Sequence, residues 1–155
     1  MPEDASEQQV IERAREDARE GKSPSTQAGE FVREEIEHIR EGKHGARSAK
    51  QAIAIGLSKA RRAGVHLPPP GRSSSAKVRR KAAQDTRRGS APRRRPSKKR
   101  SRATSEALRR ESGRSASRQA LSRQARTAAR HRGAASRRSS ARRAARTRQR
   151  TRGRR

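Results

Sequence analysis

The chain has 155 residues, of which Leu, Ile, Val and Phe supply only 14, near 9%, and this excludes a large single hydrophobic core. Its 44 Lys and Arg against 15 Asp and Glu give a net charge of +29, which a compact chain resists and a polyanionic surface relieves, so nucleic acid is the first partner class. Cysteine is absent, which excludes disulfides and cysteine metal sites, and no apolar run reaches the length of a signal-peptide core or membrane span. The expectation is a soluble, intracellular protein with no membrane partner.

Three helices are predicted in the first 67 residues. Ser6 with Gln9 fits a capping box opening a helix to about Glu20, stopped by Gly21, with Val10, Ile11, Ala14 and Ala18 as a thin, weakly packing apolar stripe. A second helix runs from a Thr26 cap to Glu41 and stops at Gly42, and Ala28, Phe31, Val32, Ile36 and Ile39 share one arc that must be buried. Glu35 projects into the same arc, so it either snorkels to the edge or meets a cation from the next helix. The third helix opens with a Ser48–Gln51 capping box and closes at Gly64, with Val65 covering the last turn. Ala49, Ala52, Ile53, Gly56, Leu57, Ala60 and Ala63 form its small-residue face, which lets the second helix approach closely, while Lys50, Gln51, Ser58, Arg61 and Arg62 fall on the wet side. Ile55 lies off the packed face and implies a contact with the first helix or a weak self-association surface.

Pro68-Pro69-Pro70-Gly71 reads as a stiff linker. Beyond it only Val78, Leu108 and Leu121 are large aliphatics, too little apolar area to offset conformational entropy. The expected organisation is therefore all-α: a two- to three-helix hairpin over residues 1–67, the linker at 68–71, and an intrinsically disordered basic tail over 72–155. Charge divides along the same lines. Residues 1–45 hold 12 acidic and 7 basic side chains, residues 46–70 hold 0 and 5, and residues 71–155 hold 3 and 32.

The run SAKQAIAIGLSKARRAG, Ser48 to Gly64, preceded by HIREGKHG and followed by the prolines, resembles a small uncharacterised bacterial family with a Lys-Gln-Ala-Ile-Ala-Ile helix and often a basic tail. The resemblance spans about residues 36–70 and implies association with DNA, but no catalytic residue or cofactor. In composition alone the tail is similar to linker-histone and protamine tails, departing from the former in its 28 Arg to 4 Lys.

No catalytic apparatus is legible, and no catalytic, cofactor or metal residue is assigned. Glu35-Ile36-Glu37-His38 has the Glu-x-x-His spacing of carboxylate-bridged metal bundles, but it stands alone in the sequence and reads as helix surface. A helix-turn-helix reading would turn Gln51, Ser58 and Arg62 of the third helix toward bases, against the length of its connection. A milder one has Lys43, His44, Arg47, Lys50 and the amides at that helix start gripping a phosphate. Arg93-Arg94-Arg95-Pro96 and Arg152-Gly153-Arg154 approach, without completing, a minor-groove Arg-Gly-Arg-Pro core. No Phe, Tyr or Trp follows Phe31, so the stacking platforms typical of single-strand binders are missing and duplex DNA fits best.

The candidate nucleic-acid contacts are Lys43, Arg47, Lys50, Arg61, Arg62, Arg79, Arg80, Lys81, Arg93, Arg94, Arg95, Lys98, Lys99, Arg100, Arg137, Arg138, Arg142, Arg143, Arg152 and Arg154. The reading is a sequence-nonspecific, nucleoid-associated or DNA-compacting protein of the bacterial cytoplasm, or a nuclear one in a eukaryote. An RNA- or ribosome-associated protein and an adaptor docking a protein through its helices are the alternatives.

Overall fold

The computed structural model describes residues 2–72, 74–91 and 97–153, with side chains from Ser6 onward except that of Thr151. Its first three helices, α1 (Pro2–Arg19), α2 (Pro24–Arg40) and α3 (Ala49–Arg62), all stop at a glycine of positive φ: Gly21 at 71°, Gly42 at 75° and Gly64 at 96°. Only glycine enters this left-handed turn without a Cβ penalty, and it lets two further amides fold back on the last turn. At α3, Gly64 N donates to Arg61 O at 3.1 Å and Val65 N to Ala60 O at 3.0 Å. Val65 is thereby buried over the helix end, as the sequence implied.

The helix starts are less faithful to expectation. Ser48 accepts from Gln51 N at 3.2 Å, and the Gln51 side chain accepts from Arg47 N at 2.8 Å, a capping box reaching one residue further back than usual. α2 opens at Ser23, not Thr26: Ser23 Oγ accepts from Thr26 N at 3.4 Å, and Pro24 follows at a position whose amide would be unpaired in any case. α1 already begins at Pro2, so Ser6 lies inside the helix, where its hydroxyl donates to Glu34 of α2 instead of capping.

α1, α2 and α3 share one core. Val10, Ile11 and Ala14 pack with Ala28, Phe31, Ala60 and Val65, so α1 is more firmly held than its thin stripe suggested. A second cluster joins Ile39, Ala46 and Ala52. Gly56 permits the approach of α2 to α3: a Cβ there would lie 2.7 Å from Val32 Cα, backbone that has no rotamer to retreat into.

Beyond Pro70 the expectation of disorder is overturned. That region forms α4 (Ala76–Gly89), α5 (Lys98–Arg109), a 3-10 turn (Gly113–Ala116), α6 (Arg118–His131) and α7 (Ala134–Arg152), so the described residues hold seven α-helices in place of a two- to three-helix hairpin with a disordered tail. Counting apolar area missed the local term. Ala, Arg, Lys and Gln are among the best helix formers, a helix satisfies its own backbone, and Gly89, Gly113, Gly133 and Gly153 fall at or beside element ends.

Two compact units result, Met1–Ser117 and Arg118–Arg155, and Pro68–Gly71 lies inside the first. There, α4 packs on α3: Ser58 Oγ donates to Asp85 Oδ2 at 2.7 Å, and Ala82 and Asp85 are buried. A Cβ at Gly89 would sit 2.1 Å from Arg61 O. The end of α5 and the 3-10 turn close on the α2–α3 connection, with Gly45 N donating to Leu108 O at 2.9 Å and Ala46 N to Ser112 O at 3.2 Å. Ala116 joins the second core cluster, and its carbonyl accepts from Arg40 Nε at 3.0 Å. In the second unit, α6 keeps Ala120, Leu121, Gln124 and Ala128 half-buried on one face. No described helix is long and apolar enough to cross a membrane.

Candidate functional site

Two places concentrate chemistry: a polar centre buried between α2, α3 and their connection, and the arginine-rich helices. Glu35 faces α3 and is fully buried. Of the two sequence expectations for it, the cation from the next helix holds, because Lys59 Nζ lies 2.8 Å from Oε2. His44 Nε2 lies 3.3 Å from the other carboxylate oxygen. His38, one turn along α2, is also buried, its Nε2 3.8 Å from Glu34 Oε1 and without a hydrogen-bond partner. Reading Glu35 and His38 as helix surface is therefore corrected. Desolvation holds the His38 imidazole below its ordinary pKa, helped by the charges of Lys43 and Lys59 and opposed by Glu34 and Glu35. One ligand atom each from Glu35, His38 and His44 lies within 4.8 Å of the others, so this is where the described residues could hold a metal.

His44 was not legible as a partner of Glu35 and His38, because the Glu-x-x-His spacing points only to a second motif of the same kind. The legible signal was Gly42, which ends α2 and turns the chain back, returning His44 to the helix it has just left.

The predicted nucleic-acid contacts separate into three groups. At the start of α3, Lys43, Arg47 and Lys50 are exposed, but Lys43 Nζ pairs with Glu41 at 2.9 Å, lowering that carboxyl's pKa. His44 has turned inward, and the capping box engages the Arg47 and Gln51 amides, so the phosphate grip loses part of its donor set. At the far end, Arg61 is half-buried and donates to Pro68 O at 3.4 Å, while Arg62 is exposed. The helix-turn-helix reading fails here, since Ser58 is engaged by Asp85 beneath α4.

Arg79, Arg80 and Lys81 of α4 are exposed, although Lys81 pairs with Asp85 at 2.6 Å and Arg79 donates to Arg72 O at 3.0 Å. Lys98, Lys99 and Arg100 open α5, also exposed. Arg93, Arg94, Arg95 and Arg154 lie outside the described residues, and with them most of both minor-groove fragments.

The third group, Arg137, Arg138, Arg142, Arg143 and Arg152, lies on α7, and α6 adds arginines beyond the predicted set. Arg118, Arg123, Arg126 and Arg130 share the exposed face of α6, opposite its half-buried side. On α7, Arg137, Arg138, Arg142, Arg143, Arg146, Arg148, Arg150 and Arg152 are all exposed. At 3.6 residues per turn they cover roughly two-thirds of its circumference, leaving an uncharged strip along Ser136, Ser140, Ala144 and Thr147. No acidic side chain follows Glu111, so residues 118–155 carry 15 Arg and no internal counter-charge.

Residues 8–70 match a family described as "Family of unknown function (DUF6496)", a span containing α2, α3 and the prolines but none of α4 to α7. No curated protein and no solved structure matches the chain.

Proposed function

We propose that this protein binds duplex DNA without sequence preference through α6 and α7, neutralising and compacting the duplex as a nucleoid-associated protein does. The observation that carries the reading is the exposed charge of the arginines of α6 and α7 among the described residues, in a segment, 118–155, that has 15 Arg and no Asp or Glu of its own. Like charges at i, i+4 destabilise a helix by about 0.2–0.5 kcal/mol per pair, so a polyanion that neutralises them is stabilising. Arg forks bind phosphate with two parallel hydrogen bonds.

Shape favours DNA over RNA. A helix about 10–12 Å across enters the major groove of B-DNA, ~12 Å wide and walled by phosphates on both sides, and cations around most of the α7 circumference reach both walls. The deep, narrow major groove of A-form RNA does not admit it.

Anisotropy titrations of the full chain test this, using two DNA duplexes of scrambled sequence and one RNA duplex over a range of salt. If about ten phosphates are neutralised, log K falls against log salt with a slope near −9. The two DNA sequences should bind alike and the RNA duplex more weakly. A slope shallower than about −4, a preference above ~10-fold between the DNA duplexes, or tighter binding to RNA would overturn the reading.

A further inference from the structure

We infer that Glu35, His38 and His44 form a divalent metal site of the zinc type, buried against α3. The orientation of His44 is the first argument. Its Nδ1 lies 3.2 Å from the Gly45 carbonyl, an oxygen that only accepts, so the ring proton sits on Nδ1 and the Nε2 lone pair points at Glu35 Oε1, 3.3 Å away. Two acceptors face each other across that gap unless a proton or a metal cation lies between them. The separation matches the ~3.4 Å edge of a tetrahedron built on bonds of ~2.1 Å, and an Nδ1–H held by a backbone carbonyl is the usual outer support of a ligating histidine.

His38 supplies the second, independent argument. The residue is 9% exposed, its Nε2 has no hydrogen-bond partner, and a ring nitrogen lies within 4.8 Å of the other two ligand atoms. An imidazole buried without a partner loses hydration for nothing, whereas a neutral imidazole beside a carboxylate and a second imidazole is a ligand in waiting.

Lys59 does not close the site. It holds Oε2 of Glu35 at 2.8 Å and leaves Oε1 as a single ligand atom. The buried Glu34, with Oε2 unpartnered, adds a second negative charge nearby, so the neighbourhood tolerates a dication beside the ammonium. Two imidazoles and one carboxylate suit zinc and cobalt, not calcium or magnesium, and leave a fourth position for water.

The test uses the full chain after EDTA treatment, titrated with Zn(II) by calorimetry and with Co(II) by visible absorption. One equivalent should bind, with the intense d–d absorption of four-coordinate Co(II), and Zn(II) should raise the melting temperature. His44→Gln and His38→Gln should each weaken binding by more than ~100-fold, beyond the 10- to 100-fold effect of losing an outer-shell partner. His66→Gln with His131→Gln, both exposed and outside the cluster, should leave it unchanged. If His38→Gln fails to fold by circular dichroism, the His44→Gln result decides, because His44 lies in a connection and not in a helix. Absence of one-to-one binding, or its loss in the His66/His131 variant, overturns the site and leaves a proton between His44 and Glu35.

Discussion

Met1–Ser117 and Arg118–Arg155 are both helical, yet different interactions specify them. In the first unit helix position is dictated by tertiary contacts: Gly56 against Val32, Glu35 against Lys59, and Gly45 against the backbone after Leu108. Exchanging one residue there changes what its neighbours touch. In the second, α7 is exposed along almost its whole length and carries arginines on most sides, so its helix rests on propensity and its chemistry on charge density. High helix content therefore says little about which residues are individually needed. Contact specificity sits in the first unit, and redundant electrostatics in the second.

Removing the second unit should have the largest effect on binding. A chain ending at Ser117 loses 15 Arg and no acidic side chain. Its duplex affinity at ~150 mM salt is expected to fall at least ~100-fold, with a shallower salt slope. Its melting transition should persist, because the core clusters lie wholly within Met1–Ser117. Equal affinity in the truncated chain would mean that the cations of α3 to α5 carry binding, and the division of labour would fail. The reverse experiment is Gly56→Leu. Four side-chain carbons must enter where even a Cβ meets Val32 Cα at 2.7 Å, so stability should drop by about 3 kcal/mol, the upper end for overpacking. Urea denaturation reads that loss, and an unchanged midpoint would show that α2 and α3 do not pack through this face.

Legibility in the sequence follows the same division. Gly21, Gly42 and Gly64 announced three helix ends, and the small-residue face of α3 announced its partner, because periodicity and left-handed turns are local signals. The Lys59 partner of Glu35 was foreseeable from the arc on which Glu35 stands. What failed was inference from absent hydrophobes. Residues 76–89 bury only Ala82 and Asp85, and Ala116 anchors the return of the chain with a single methyl group, contributions too small for a count of large aliphatics to register. Backbone hydrogen bonds at Gly45 and Ala46 were invisible for the same reason: they depend on main chain, which no side-chain pattern reports. The buried centre was half legible, its Glu-x-x-His spacing present and its third member hidden behind the Gly42 turn.

Gly45→Ala probes that return at a smaller scale. A Cβ at this position would stand 1.9 Å from the Glu111 carbonyl oxygen, so the segment around 108–112 must move away from the α2–α3 connection. Two backbone hydrogen bonds, Gly45 N to Leu108 O and Ala46 N to Ser112 O, are lost, at about 1 kcal/mol each. Hydrogen exchange should show both amides losing protection while amides within α1 to α3 keep theirs. Protection retained at Gly45 and Ala46 positions would place the tail segment elsewhere and return the first unit to a simple three-helix body.

The smallest effect is a slope with pH, and it belongs to the buried centre alone. Burial, with Lys43 and Lys59 adding to it and Glu34 and Glu35 opposing, lowers the His38 pKa from 6.5 in the folded chain. The folded state therefore binds a proton at this ring less readily than the unfolded state does. Above about pH 6.5 both states hold it neutral and the full contribution to stability is present. As pH falls below that value the unfolded chain takes up a proton that the native chain refuses, and stability is lost until pH passes the folded-state pKa. His38→Gln removes this proton uptake while keeping a polar side chain of similar length. In metal-free buffer the drop in urea midpoint between about pH 7.5 and pH 5.5 should accordingly be smaller in His38→Gln than in the parent chain. An equal drop in both would mean that the ring protonates as easily folded as unfolded, and that the space around it is wetter than its 9% exposure indicates.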